Sequence, residues 1–121
     1  MSYEKLQLTI GQNLGSWRGA LSNMKGVYLI SDTLHGKLYV GRATGEKGIW
    51  QRWRDYAVSA HGGNKDLKAV LEEKGKEHVH NFKYSVVEIA DNYANDLYVL
   101  ERELYWKGVL LSKAPFRCNL N

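Results

Sequence analysis

Cysteine and proline are almost missing from this chain: Cys118 and Pro115 are the single examples of each among 121 residues. A lone cysteine excludes an internal disulfide and any cysteine-based zinc cluster, and it suits a reducing compartment. Nowhere do about 18 apolar residues run together, so no transmembrane span is expected. The opening residues, Met1 to Gln7, are polar and have no signal-peptide core, which points to a cytoplasmic protein. Internal repeats and low-complexity stretches are also lacking. What is present has the balance of a soluble globular chain, 44% apolar and 25% charged. That apolar share is too rich for disorder, and the length suffices for one core but not two. Lys and Arg outnumber Asp and Glu by 17 to 13, with an isoelectric point near 9.2. An excess of this size is compatible with a polyanionic partner without establishing one.

Periodicity orders the elements. Residues 11–23 carry Leu14, Trp17 and Leu21 at helical spacing and predict a short helix. Residues 26–32 and 37–42 read as two strands around a turn at Leu34-His35-Gly36, a β-hairpin. A glycine-bearing loop and a helix over about 49–60 follow. His61-Gly62-Gly63 breaks that helix, and Asn64 is placed to cap another that ends near Gly75. Residues 81–89 predict a third strand, and 92–111 contain the last and longest helix. The expected fold is α/β, a small three-stranded, mainly antiparallel sheet packed by helices. Residues 1–24 are expected to form a helical extension packing on a domain over 25–121.

Tyr28 and Tyr39 lie at equal distances from a turn centred near Thr33 and Leu34, which would set them opposite each other on one face. Gly41 beside them allows close approach of backbone or ligand. Two tyrosines on a sheet are also simply good strand formers. On the 49–60 helix, Ile49, Trp53, Tyr56 and Ala60 form an apolar face with Arg52 at its margin. A guanidinium there can meet phosphate bidentately, or merely cover its neighbours with its stem. The last helix carries two apolar stripes. Leu97, Leu100, Leu104 and Leu111 form one, read as core. Val99, Trp106 and Leu110 form a second that includes Glu103, whereas Glu101 and Tyr105 fall on the polar side. A carboxylate among apolar neighbours needs a metal or an ion pair, so Glu103 is a better candidate ligand than Glu101.

Together these residues resemble the paired motif of the GIY-YIG nucleases. Gly26-Val27-Tyr28, ten residues, then Tyr39-Val40-Gly41 match the motif itself. Arg52 with Tyr56, Glu103 on the late helix and Asn119 near the end match the landmarks that follow it. Arg42 stands where many members carry Lys, and an Arg keeps its proton, so a relay through that position is in doubt. His61-Gly62-Gly63-Asn64 resembles a segment of some small bacterial members, first as helix punctuation and second as a DNA contact.

The resemblance implies an endonuclease that hydrolyses DNA phosphodiester bonds with one divalent ion. Glu103 would hold Mg²⁺ or Mn²⁺, Arg52 would neutralise the phosphate, and Tyr28 would act as general base. An ordinary phenol titrates near about 10, so this base needs cationic neighbours such as Arg42 and Arg52 that favour phenolate. Tyr39 and Tyr56 would position water or phosphate, and Asn119 would brace the site. Two nicks make a double-strand break, so a dimer on DNA is conceivable. The rival from another class is a catalytically silent GIY-YIG-like module that binds nucleic acid. A hydrolase built on His61, His78 or His80 finds no supporting spacing.

Overall fold

Three stretches rich in β-branched and aromatic residues pair as strands, β1 (Met24–Asp32), β2 (Lys37–Ala43) and β3 (Phe82–Asp91). The structure is a computed structural model that describes residues 1–12, 15–45, 47–91 and 93–112. The strands form one three-stranded antiparallel sheet in the order β2-β1-β3, as the sequence predicts. The helices are α1 (Tyr3–Gln12), α2 (Gly15–Ser22), α3 (Gly48–Ser59), α4 (Lys65–Lys74) and α5 (Asp96–Ser112), with a 3-10 segment (Lys76–Asn81) leading into β3.

The hairpin register differs from the predicted one. Tyr28 faces Gly41, and Tyr39 faces Ile30. The turn occupies Thr33–Gly36 because the Asp32 carboxylate accepts the N–H groups of Leu34 and His35, at 3.0 and 3.2 Å. Gly36, at φ 71°, then closes it onto the Asp32 carbonyl. Tyr28 and Tyr39 are therefore diagonal neighbours rather than opposite ones. They still share a face, because the displacement is an even number of residues and side chains alternate.

That face carries the main core. Tyr28, Ile30, Tyr39 and Tyr84 of the sheet pack with Leu6, Ile49, Trp53, Tyr56 and Leu67 of α1, α3 and α4. Helix α4 begins where expected, with the Asn64 side chain accepting the N–H groups of Asp66 and Leu67. Helix α1 lies within the expected helical extension but ahead of the helix placed at residues 11–23. Ser2 caps it, Tyr3 and Leu6 are buried, and the Tyr3 hydroxyl donates to the Ala57 carbonyl at 3.0 Å. Met1 exchanges backbone hydrogen bonds with Tyr84 at the free edge of β3. Of the predicted 11–23 helix, α2 forms the second part and Leu21 packs on the core. Leu14 and the Trp17 side chain lie outside the described residues.

The other face is covered by α5, which contacts β1 and β2. Its packing stripe is Val99 and Glu103, both buried, with Trp106 half-buried below them. The stripe expected to be core is the outer one: Leu97 is 60% and Leu104 57% exposed, while the Leu111 side chain lies outside the described residues. Two apolar stripes compete for a sheet only three strands wide, and polar anchoring decides between them. Arg102 and Trp106 both bond the Glu88 carboxylate of β3, at 2.8–2.9 Å, which rotates α5 so that Val99 faces inward.

Val99→Ala should therefore cost about 1–3 kcal/mol, whereas Leu104→Gln should stay within about 0.5 kcal/mol. Urea denaturation of both variants checks the orientation, and the reverse ranking would refute it.

Candidate active site

A bulge between Val27 and Tyr28 interrupts the pairing with β3: Val27 faces Glu88, and Tyr28 faces Val86. Next to this irregularity the Tyr28 ring crosses the edge strand β2 over Gly41. A Cβ at Gly41 would stand 2.4 Å from the Tyr28 hydroxyl oxygen, inside any tolerable contact. Only glycine lets the hydroxyl reach the sheet edge there.

Helix α3 brings Arg52 and Tyr56 to the same point. The Tyr28 and Tyr56 hydroxyls are 2.8 Å apart, and one Arg52 nitrogen donates to both, at 3.2 and 3.3 Å. Arg52 also donates to Asp55 at 3.3 Å and lies over the Tyr56 ring. Tyr56 is fully buried. Burial, followed by the neighbouring Tyr28 oxygen, pushes it far above the ordinary phenol range despite the opposing Arg52. It thus stays a phenol able to donate to Tyr28. Gly62, at φ 56°, passes so close to Tyr56 that a Cβ would meet its ring at 2.8 Å. The glycine pair after α3 therefore has a packing reason as well as a turn to make.

Strand alternation puts Arg42 on the opposite face, under α5. There it donates to the buried Glu103 carboxylate at 2.7 Å, and Lys107 approaches the other oxygen at 3.7 Å. The two groups of residues meet at the β2 edge in an open cleft of about 470 Å³. Tyr28, Arg42, Arg52, Asn64, Glu103 and Lys107 line it. Lys107 sits one helical turn beyond Glu103, a spacing legible in the sequence.

The remaining candidates stand elsewhere. Tyr39 is buried with no hydrogen-bond partner for its hydroxyl among the described residues. Burial first, and then the charges of Asp32 and Asp66, push it up to about 12, so it remains neutral. His61 lies outside the cleft, with its ring accepting the Gly63 N–H at 2.9 Å. Asn64 lines the cleft, but its carbonyl oxygen caps α4. His78 and His80 pair with Asp32 and Glu4 away from the cleft. Glu101 is exposed on α5. Asn119 lies outside the described residues.

A cleft framed by the two tyrosine motifs, an arginine and a late-helix carboxylate defines a class: the chain belongs to the GIY-YIG family, whose model, the GIY-YIG catalytic domain, matches residues 24–115. Among known proteins it is similar to Intron-associated endonuclease 1 of Enterobacteria phage T4, 34% identical over 89 residues. That match covers 73% of this chain and 34% of the relative, so the chain spans about a third of that protein's length. Among solved structures it is similar to the catalytic domain of homing endonuclease I-TevI, with 32% identity and a TM-score of 0.49. The alignment covers 74% of this chain and 90% of that one. Among the described residues, no helix is long and apolar enough to cross a membrane.

The two inner hydroxyls differ in a measurable way. Tyr56→Phe removes a paired hydroxyl and should cost about 0.5–1.5 kcal/mol, whereas Tyr39→Phe removes an unpaired buried one and should leave stability unchanged or raise it by up to about 1 kcal/mol. Denaturation midpoints test the contrast, and destabilisation by Tyr39→Phe of the same size would mean that its hydroxyl is bonded after all.

Proposed function

We propose that this chain is a DNA endonuclease that hydrolyses phosphodiester bonds with Tyr28 as the general base. The observation that carries this reading is the convergence of the Tyr28 hydroxyl, Arg52 and Glu103 on one cleft. Tyr28, as phenolate, takes a proton from water while the water oxygen bonds to phosphorus and the bond to the 3′ oxygen breaks. The departing oxygen is protonated from solvent. Arg52 donates to the Tyr28 oxygen, and the Tyr56 hydroxyl lies within hydrogen-bond distance of it, so both hold that oxygen at the cleft. Arg52 also stands where it can turn to a phosphate oxygen as charge builds. Tyr39 lies behind the cleft as a neutral phenol and shapes the packing of Tyr28. In this reading Asn119 braces the site from the C-terminal side.

The residues fit a single divalent cation. Glu103 offers a hard carboxylate at the wall of an open cleft, and the cations beside it show how strongly that charge seeks compensation. Arg42 is 43% exposed and has room to withdraw. Glu103 would hold Mg²⁺ or Mn²⁺, and a bound ion supplies Lewis-acid relief of charge on phosphate and leaving oxygen. Among the described residues that line the cleft, Glu103 is the one carboxylate, which favours one ion over two. The Arg42–Glu103 ion pair favours a second reading, in which the carboxylate is permanently satisfied and the chain binds DNA without cutting it. Cytoplasmic residence and a dimer on DNA belong to the first reading.

Supercoiled plasmid should be nicked in Mg²⁺ or Mn²⁺ and spared in chelator. Tyr28→Phe keeps the ring and should bind DNA normally yet lose most cleavage. The wild-type rate should rise with pH, and the variant's residual rate should not. Glu103→Gln should be inactive and folded, and Glu101→Gln active. Arg52→Ala should cut about 10²-fold slower or worse. Cleavage by Tyr28→Phe at the wild-type rate removes Tyr28 as base. Intact plasmid under all conditions, with DNA still bound, establishes the non-cutting module.

A further inference from the structure

A second polar cluster lies at the far end of β1, at the tip of the hairpin. Asp32 is four residues beyond Tyr28, roughly 13 Å along the strand. It is buried, as is His78 of the 3-10 segment, and the Asp32 Oδ2 to His78 Nε2 distance is 2.7 Å. Asp32 Oδ1 is fixed by the Leu34 and His35 N–H groups, so Oδ2, which faces His78, is the oxygen placed to serve an ion together with that ring. His35 is exposed, and its ring stacks on that of His78 with centroids 5.3 Å apart. Its ring nitrogens have no hydrogen-bond partner among the described residues. One ligand atom from each of Asp32, His35 and His78 falls within 4.8 Å of the others.

We propose that Asp32, His35 and His78 form a transition-metal site, of the zinc class, separate from the cleft. Two imidazoles and one carboxylate suit Zn²⁺, which takes such ligands at about 2.0–2.2 Å and completes its shell with water. Mg²⁺, which prefers oxygen ligands, does not suit it. Ligand atoms around such an ion stand some 3–3.5 Å apart, so Asp32 and His78 are nearly in place and only the exposed His35 ring has to swing. Binding needs His78 Nε2 without a proton, so the ring proton moves to Nδ1, where the Asn81 side chain, whose amide nitrogen lies 3.4 Å away, must turn its oxygen to accept it. Thr33 donates its N–H and hydroxyl to the Asn81 carbonyl, at 2.9 and 2.6 Å, so the turn and the 3-10 segment are already joined beside the ligands. The ion would clip the hairpin tip to the segment that leads into β3, and its binding energy would add to the stability of the fold.

The test uses full-length protein carrying Glu103→Gln, so that the cleft carboxylate does not contribute. After metal stripping it is titrated with Zn²⁺ by calorimetry and with Co²⁺ by visible absorption. One equivalent should bind with the absorption of imidazole-ligated Co²⁺, and Zn²⁺ but not Mg²⁺ should raise the melting temperature. Adding His35→Ala, a change at an exposed ring, should weaken Zn²⁺ binding by more than about tenfold and abolish the thermal shift. Adding His80→Ala, which alters the exposed His80–Glu4 pair, should change neither. No saturable Zn²⁺ binding, undiminished binding in the His35→Ala protein, or loss with His80→Ala instead would each overturn the proposal.

Discussion

The Tyr28 ring crosses the edge strand at Gly41, and most of the candidate site depends on that crossing. A tyrosine on a central strand ordinarily buries its ring and seeks a partner for its hydroxyl inside the core. Here the absence of a side chain at Gly41 opens a path over β2, so the ring stays buried while the oxygen arrives at the sheet edge. Helix α3 is then bound to the same point. Trp53 and Tyr56 pack edge-on to the Tyr28 ring, and the Tyr56 hydroxyl and Arg52 meet its oxygen. Packing and polar chemistry thus depend on one another, because the aromatic contacts that fix α3 also fix where Arg52 points.

Which features the sequence revealed follows from how local their causes are. The hairpin, the Asn64 cap and the Gly75 stop rest on neighbouring residues, and each formed where predicted. The register did not, because it depends on which side chain claims the turn's N–H groups, and Asp32 competes there with the symmetric choice around Thr33 and Leu34. On a helical wheel the four-leucine stripe of α5 is the more apolar of the two. Only the Glu88–Arg102–Trp106 contacts, which join segments far apart in sequence, select between them. The same limit applies to α1: Tyr3 and Leu6 look unremarkable until the Ala57 carbonyl and the edge of β3 come to meet them. For the candidate site, Tyr28, Arg42, Arg52, Asn64 and Glu103 were named from residue type and from the family resemblance, and they line one cleft. The pairing of Arg42 with Glu103 was not, since it needs the register and the rotation of α5 together.

Buried polar groups in this fold are satisfied unevenly. Glu103 is buried between two cations, and Tyr56 between Tyr28 and Arg52. Tyr39 and Tyr84 hold hydroxyls without partners among the described residues in the same aromatic core. Phenylalanine would satisfy packing at either position at less desolvation cost. The core around α3 is therefore not the most stable one this fold could have. Rigid rings crowd behind Tyr28 and leave it few alternative orientations, a condition that favours a preorganised group over a mobile one.

The site also divides between the two faces of the sheet. Tyr28 and its partners belong to the α3 face, whereas Arg42, Glu103 and Lys107 belong to the α5 face. They meet where the sheet ends, at a strand with no further neighbour among the described residues. In-line displacement at phosphorus requires the attacking and departing oxygens on opposite sides of the phosphate. A phosphate lodged at the β2 edge would meet the phenol from one face and the carboxylate with its cations from the other. In the proposed reading, proton removal and charge relief thus come from opposite faces of the sheet, and the strand on which they meet is the one that carries Gly41.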